Sequence, residues 1–244
     1  MSVPSPNASP SPHASEVQAA IGDSRSSLFV YGAVRQFLRR VVMPIYRFEV
    51  IGLDTLDAIE GAVIVSPVHR SNLDAALCGA MMKKRLRALA KESLFDHRLF
   101  GWLCAALGAF PVKRGAADRE SLRVAQRILE RGEALLVFPE GTRQSGDRVA
   151  EIFAGPAFLA GRTGAPIVPI GIAGTEAALP AGARFPRRST IRMVVGDPLV
   201  APEGRLSRDQ RDDLTARLAA RLQAAQHDAV VALAAARSKR QQAG

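Results

Sequence analysis

Short apolar runs recur along this chain, and segments of helical periodicity separate them. The clearest run is Ala62-Val63-Ile64-Val65-Ser66, a length suited to a buried strand. Further runs at 86–90, 110–113, 134–138, 167–172 and 190–195 repeat the signature. Helical patterns fall between them at 73–84, 92–107, 118–130 and 156–162, the last with Pro156 in its first turn. This alternation predicts an α/β fold: a single domain with a mixed, mostly parallel sheet flanked by helices. No internal repeat is apparent.

An amphipathic helix is expected ahead of that domain. Over 27–43, Val30, Val34, Phe37, Leu38 and Val41 recur at helical spacing, followed by Ile45. Arg35, Gln36, Arg39 and Arg40 lie elsewhere on the wheel, and Pro44 marks the end. Large apolar side chains flanked by arginines suit a helix lying in a membrane interface. The same periodicity serves a helix packed on its own domain, and both readings stay open. The expected organisation is a disordered leader over 1–26, the amphipathic helix over 27–46, the α/β domain over 47–200 and a C-terminal helical segment over 201–244. Helix is expected there from about 207 to 237, continuous or broken. The first fifteen residues, rich in Ser, Pro, Asn and Ala, lack the apolar stretch of a secretory signal. No run of apolar residues has the roughly 18-residue length that spanning a bilayer requires.

Composition narrows the partners. Hydrophobic residues make up 48% of the 244 and aromatics only 5%, so the core must be aliphatic. The balance of 33 basic against 23 acidic residues, net +10, favours an anionic partner. Helix-turn-helix, zinc-finger and aromatic RNA-binding signatures are all missing. An anionic membrane surface is therefore expected, and no nucleic acid. Cys78 and Cys104 both sit among apolar neighbours and read as reduced, buried thiols, although a disulfide is compatible with the sequence.

Four segments carry chemistry. In Ser66-Pro67-Val68-His69-Arg70-Ser71-Asn72-Leu73-Asp74, a strand ends and a helix begins. The His-x4-Asp spacing lets the Asp74 carboxylate fold back onto one imidazole nitrogen of His69. The other nitrogen is then free to take a proton from a hydroxyl. In Phe110-Pro111-Val112-Lys113-Arg114-Gly115, Arg114 follows a short apolar strand, where a guanidinium can hold phosphate oxygens. Val137-Phe138-Pro139-Glu140-Gly141-Thr142-Arg143 sets a turn, a hydroxyl and a guanidinium at a strand end, the place where α/β sheets bind ligands. Ala165-Pro166-Ile167-Val168-Pro169-Ile170 is a proline-flanked strand. Taken singly, each has an ordinary structural reading.

In this order and at these spacings the four segments resemble the glycerolipid acyltransferase family, with its 1-acyl-sn-glycerol-3-phosphate branch nearest, over about residues 45–200. The resemblance implies a general base at His69 with Asp74 as its orienting partner. It implies substrate contacts at Arg114, Glu140, Gly141, Thr142 and Arg143, the arginines on phosphate. It assigns Val168-Pro169-Ile170 to the acyl side. The implied reaction moves a fatty acyl group from acyl-CoA or acyl carrier protein to the hydroxyl of a lysophospholipid. No metal or cofactor is implied, and the implied place of work is the cytoplasmic face of the cell membrane. Val68, Gln144 and Ala154 depart from the family pattern, which often has Asn, Ser and Lys there. Another lysolipid or glycerol 3-phosphate remains open as acceptor. The main rivals are a serine hydrolase, for which no Gly-x-Ser-x-Gly elbow is present, and a non-catalytic lipid-binding protein.

Overall fold

The computed structural model describes residues 24–112, 119–180, 182–183, 185–202 and 204–242. The expected leader falls almost wholly outside these residues, and Arg114 does so entirely. Helix α1, Arg25–Phe37, starts at Ser24, whose hydroxyl accepts the Ser27 amide proton at 3.1 Å. It runs through a π-helical turn at Leu38–Val42 into a last turn at Met43–Ile45. Strand β1, Glu49–Ile51, and helix α2, Leu53–Asp57, follow; the sequence patterns predicted neither. Next come β2 Val63–Pro67, α3 Leu73–Met81, β3 Leu86–Lys91, α4 Arg98–Ala106 and β4 Ala109–Val112. The chain continues through α5 Arg119–Glu130, β5 Ala134–Leu136, α6 Gly155–Thr163, β6 Ile167–Ala173, α7 Thr175–Ala178, β7 Arg192–Val195 and α8 Arg208–Gln242. The helix expected over 92–107 splits into a 3-10 turn at Glu92–Leu94 and the shorter α4.

The strands form one seven-stranded sheet in the order β1-β7-β6-β2-β5-β3-β4. Every pairing is parallel except β6 with β7. The sheet is therefore mixed and mostly parallel, as the alternation predicted. Period-two alternation sends successive side chains to opposite faces. Val63 and Val65 of β2 pack with Leu77, Cys78 and Met81 of α3 on one face. Ile64 and Leu135 pack with Val124 and Ile128 of α5, Leu159 of α6 and Leu214 and Leu218 of α8 on the other.

Helix α8 is continuous, with Leu214, Leu218, Leu222, Ala225, Ala229 and Leu233 buried along one stripe. A glycine on β6 lets it come close. A Cβ added to Gly171 would lie 2.0 Å from the Ala225 carbonyl oxygen, so a side chain there would push the helix off the sheet. Gln226, buried beside that contact, accepts the Ile172 amide proton through Oε1 at 2.8 Å.

Helix α1 is fastened to the domain by polar contacts. Arg39 donates from Nε to the Ala80 carbonyl at 2.6 Å and from Nη2 to those of Met81 and Met82, each at 3.0 Å. Arg35 donates to the Lys83 carbonyl at 2.8 Å. The two arginines thus satisfy carbonyls at the C-terminal end of α3, where cations are favoured. The Tyr31 hydroxyl accepts the Leu86 amide proton at 3.1 Å. Arg35 and Arg39 are accordingly packing residues, while Arg40 is exposed. Among the described residues no helix is long and apolar enough to cross a membrane.

Candidate active site

Residues after β2 and β5 meet at the carboxyl end of the parallel strands. β2 ends at Pro67, and His69 lies between it and the first turn of α3. Asp74, in that first turn, is fully buried. Its Oδ2 stands 3.1 Å from His69 Nδ1 and accepts the amide protons of Arg70 and Ser71, each at 2.6 Å. The carboxylate therefore fixes the loop and the imidazole together. With Nδ1 committed as donor, Nε2 of the neutral ring is left as the acceptor. His69 also stacks on Phe138, with ring centroids 3.8 Å apart and an interplanar angle of 17°. These contacts leave the imidazole little freedom to rotate.

Behind the histidine lies an ion pair that the sequence did not disclose. Arg70 and Glu140 are both buried, and Arg70 Nη1 lies 2.9 Å from Glu140 Oε2 and 3.1 Å from Oε1. Oε2 also accepts the His69 amide proton at 2.8 Å, and Oε1 that of Ala150 at 3.0 Å. Arg70 also donates from Nε to the Gly146 carbonyl at 3.0 Å, from Nη2 to that of Arg148 at 2.9 Å and from Nη1 to that of His69 at 3.2 Å. A buried pair with these bonds satisfied joins the loop after β2 to the loop after β5. Glu140, expected among the substrate contacts, thus has both oxygens occupied by protein donors.

The other expected residues sit on the surface of the same turn. Gly141 has φ of 69°, a left-handed conformation that favours glycine. Its amide donates to the Phe138 carbonyl at 3.1 Å, and the Thr142 amide donates to the Glu140 carbonyl at 2.8 Å. Thr142 Oγ1 accepts from Gln144 Nε2 at 3.1 Å. Arg143 is exposed, and its side chain makes no hydrogen bond or ion pair with described residues. His69 and Asp74 are thus in contact, Glu140 lies buried behind them, and Gly141 to Arg143 form the adjoining rim.

An apolar cavity of about 400 Å³ opens beside Phe138 and Asn72 and runs between α1, α3, α4 and strands β3 and β4. Val34, Leu38, Ala76, Gly79, Cys104 and Leu107 are among its walls. Its volume falls in the range of about 300–1,000 Å³ usual for small-ligand sites. Cys78, one turn after Asp74, is fully buried. Burial, with the Asp74 charge adding to it, pushes its thiol far above the ordinary range, which keeps it protonated and inert. Burial also pushes the half-buried Cys104 thiol up. Among the described residues no group of three His, Cys, Asp or Glu side chains is placed to hold a metal ion.

A histidine held by a buried aspartate thus stands at a strand end beside an apolar cavity. The chain belongs to the Acyltransferase family, whose model matches residues 47–173, just over half of it. A chloroplastic 1-acyl-sn-glycerol-3-phosphate acyltransferase of Arabidopsis thaliana is 26% identical over 161 residues, covering 65% of this chain and 45% of the plant protein. A lyso-ornithine lipid O-acyltransferase of Pseudomonas aeruginosa is 31% identical over 146 residues, covering 59% of this chain and 52% of that one. The chain spans about half the length of these curated relatives. The crystal structure of the 1-acyl-sn-glycerophosphate acyltransferase PlsC from Thermotoga maritima shares the fold, with a TM-score of 0.63, 23% identity and 83% of each chain covered.

Proposed function

We propose that the protein transfers a fatty acyl group from a thioester of coenzyme A or acyl carrier protein to the free hydroxyl of 1-acylglycerol 3-phosphate, giving phosphatidate. The contact that carries this reading is the 3.1 Å bond from His69 Nδ1 to buried Asp74, which leaves Nε2 as the proton acceptor. The acceptor hydroxyl gives its proton to Nε2 as its oxygen bonds to the thioester carbonyl carbon. A tetrahedral oxyanion forms. The C–S bond then breaks, and the leaving thiolate takes the proton back from the imidazolium, which Asp74 stabilises meanwhile. The amides of Gly141, Thr142, Leu73 and Asp74 already donate within the protein, so the oxyanion donor in this reading is Asn72, which borders the apolar cavity. No acyl-enzyme is needed.

Arg143, exposed and unpaired, is the residue that reaches for the acceptor phosphate. We expect Arg143→Ala to raise the acceptor KM about tenfold to a hundredfold, the scale of one lost charge-assisted hydrogen bond. Its unfolding midpoint should stay that of the parent. A shift in donor KM alone would reverse the assignment.

A second reading keeps the chemistry and changes the acceptor to another lysolipid. Its support is Ala154 where the family often has Lys, together with the similarity to a lyso-ornithine lipid acyltransferase. The family residues offer no metal or cofactor step, and the site lies at the cytoplasmic face of the membrane, held there peripherally. The test is thiol release from acyl-CoA and acyl carrier protein against a panel of lysophosphatidate, glycerol 3-phosphate and lysolipids without phosphate, with products read by lipid mass spectrometry. Lysophosphatidate should be the preferred acceptor. No thiol release with any acceptor would leave a lipid-binding protein instead.

A further inference from the structure

A second concavity, a groove of about 800 Å³, lies at the same end of the sheet as His69. Register fixes its position. Pro67 of β2 is opposite Ile170 of β6, Ala173 of β6 is opposite Arg192 of β7, and Arg192 is opposite Glu49 of β1. The residues preceding β7 and β1 therefore emerge where His69 emerges. Among them are Arg47, Arg188 and Thr190, and the end of α8 adds Arg237 and Arg240. Among the described residues no carboxylate lines the groove. None of the four arginine side chains has a hydrogen-bond or ion-pair partner among the described residues. Four cations gathered in a concave wall repel one another unless an anion is bound.

Two further observations tie the groove to the active site. Arg237 also lines a smaller chamber of about 220 Å³, whose lining includes Arg70, the neighbour of His69. The chamber and the groove thus meet at Arg237. Moreover, Arg47 has φ of 43° and is the only non-glycine residue with positive φ among the described residues. Its backbone is held by the Arg192 guanidinium, which donates to the Arg47 carbonyl at 2.6 Å. Strain of this kind persists where a side chain must be aimed.

We infer that this groove binds the phosphorylated nucleotide end of coenzyme A, its diphosphate and ribose 3′-phosphate. The inference rests on the acyl-transfer reading, because it supplies the anionic half of that reading's donor. Three strand steps separate β2 from β1, about 14 Å at the usual strand spacing. An extended pantetheine arm spans that distance, with its thioester at His69. Arginine is the residue best matched to phosphate oxygens. A volume within the small-ligand range and a concave wall suit a nucleotide. A folded acidic carrier protein would call for a protruding basic surface.

The test uses the full chain and Arg188→Ala with Arg240→Ala, both exposed positions. Titration calorimetry with coenzyme A, adenosine 3′,5′-bisphosphate and pantetheine reads binding without turnover. The double variant should bind the first two about tenfold to a hundredfold more weakly and pantetheine as the parent does. The KM for acyl-CoA should rise by the same factor, and that for acyl-pantetheine should not move. The inference is overturned if the parent fails to bind coenzyme A, or if the variant binds it equally well. It is overturned equally if the loss appears only with anionic vesicles or only with acyl carrier protein. Should coenzyme A bind through the arginines while no thioester is turned over, the groove stands and the acyl-transfer reading falls.

Discussion

His69 stands between two unlike surfaces at one end of the sheet. On the side of β5, β3 and β4 the walls are aliphatic, and the cavity under α1 and α4 is lined by Val34, Leu38, Ala76 and Leu107. On the side of β6, β7 and β1 they are cationic, with Arg47, Arg188, Arg237 and Arg240 around an open groove. The antiparallel strand β7 produces part of this difference, because it brings the 185–191 loop to the catalytic end instead of the far one. A thioester donor is itself divided between a hydrocarbon chain and an anionic head. In the proposed function each flank would take one part of such a molecule, with the reacting bond between them.

The sharpest way to break that arrangement is at its centre. His69→Ala removes the proposed proton acceptor. Turnover should fall about 10²- to 10⁴-fold, with the far-ultraviolet circular dichroism unchanged. Near-parental turnover would remove His69 from the mechanism and leave the two flanks without a common centre. Glu140→Gln tests the frame behind it. Arg70 would remain buried without its counter-charge, which costs about 3–5 kcal/mol. Urea unfolding should show that loss. A variant as stable as the parent would mean that the Arg70–Glu140 pair does not hold the two strand-end loops together.

Much of the catalytic end was legible because its signals are local. His69 and Asp74 lie within one strand-to-helix turn, so their spacing already allowed the contact that the structure shows. The buried Arg70–Glu140 pair joins residues 70 positions apart, and local patterning carries no sign of such a pairing. A buried charge partner could have been sought only by asking what neutralises an arginine next to a buried strand end. The strands 62–66 and 167–172 were clear because both faces are covered, making them apolar throughout. Strand β1 was missed because it is three residues long with Glu49 and Ile51 exposed. For Arg35 and Arg39 the sequence left a lipid surface and packing on the domain both open. They cap α3, a choice set by which helix lies opposite them and not by their own neighbours.

The aliphatic flank can be tested by filling it. Gly79 lies on the α3 face toward α1, and a Cβ there would sit 3.7 Å from the Tyr31 hydroxyl, an ordinary contact. Gly79→Leu therefore extends into the cavity without a backbone clash. The ratio of long-chain to short-chain acyl transfer should drop roughly 10- to 100-fold, the discrimination that single methylenes confer in tight apolar pockets. An unchanged ratio would place the acyl chain elsewhere and dissolve the contrast between the flanks.

The smallest expected effect concerns how the molecule meets its lipid. The α1 stripe divides in two: Val34 and Leu38 line the cavity, while Phe29, Phe37, Val41 and Ile45 are exposed. Phe29 is 77% exposed and Phe37 57%, and on the adjoining α4 Leu99 is 80% and Trp102 48% exposed. Two neighbouring helices thus present large apolar side chains outward above the aliphatic flank, the arrangement an interfacial anchor needs. Phe29→Asp with Phe37→Asp should weaken flotation with anionic vesicles about tenfold. The loss is limited because Val41, Ile45, Leu99 and Trp102 remain, and full burial of one such ring is worth only about 1.5–3 kcal/mol. Arg40→Ala should cost less still, about 1 kcal/mol near an anionic surface, and that part should vanish in high salt. Activity on a short-chain, monomeric acceptor should survive both changes, since neither touches the cavity or His69. If the double variant floats as well as the parent, α1 is a packing element and lipid reaches the aliphatic flank by another face.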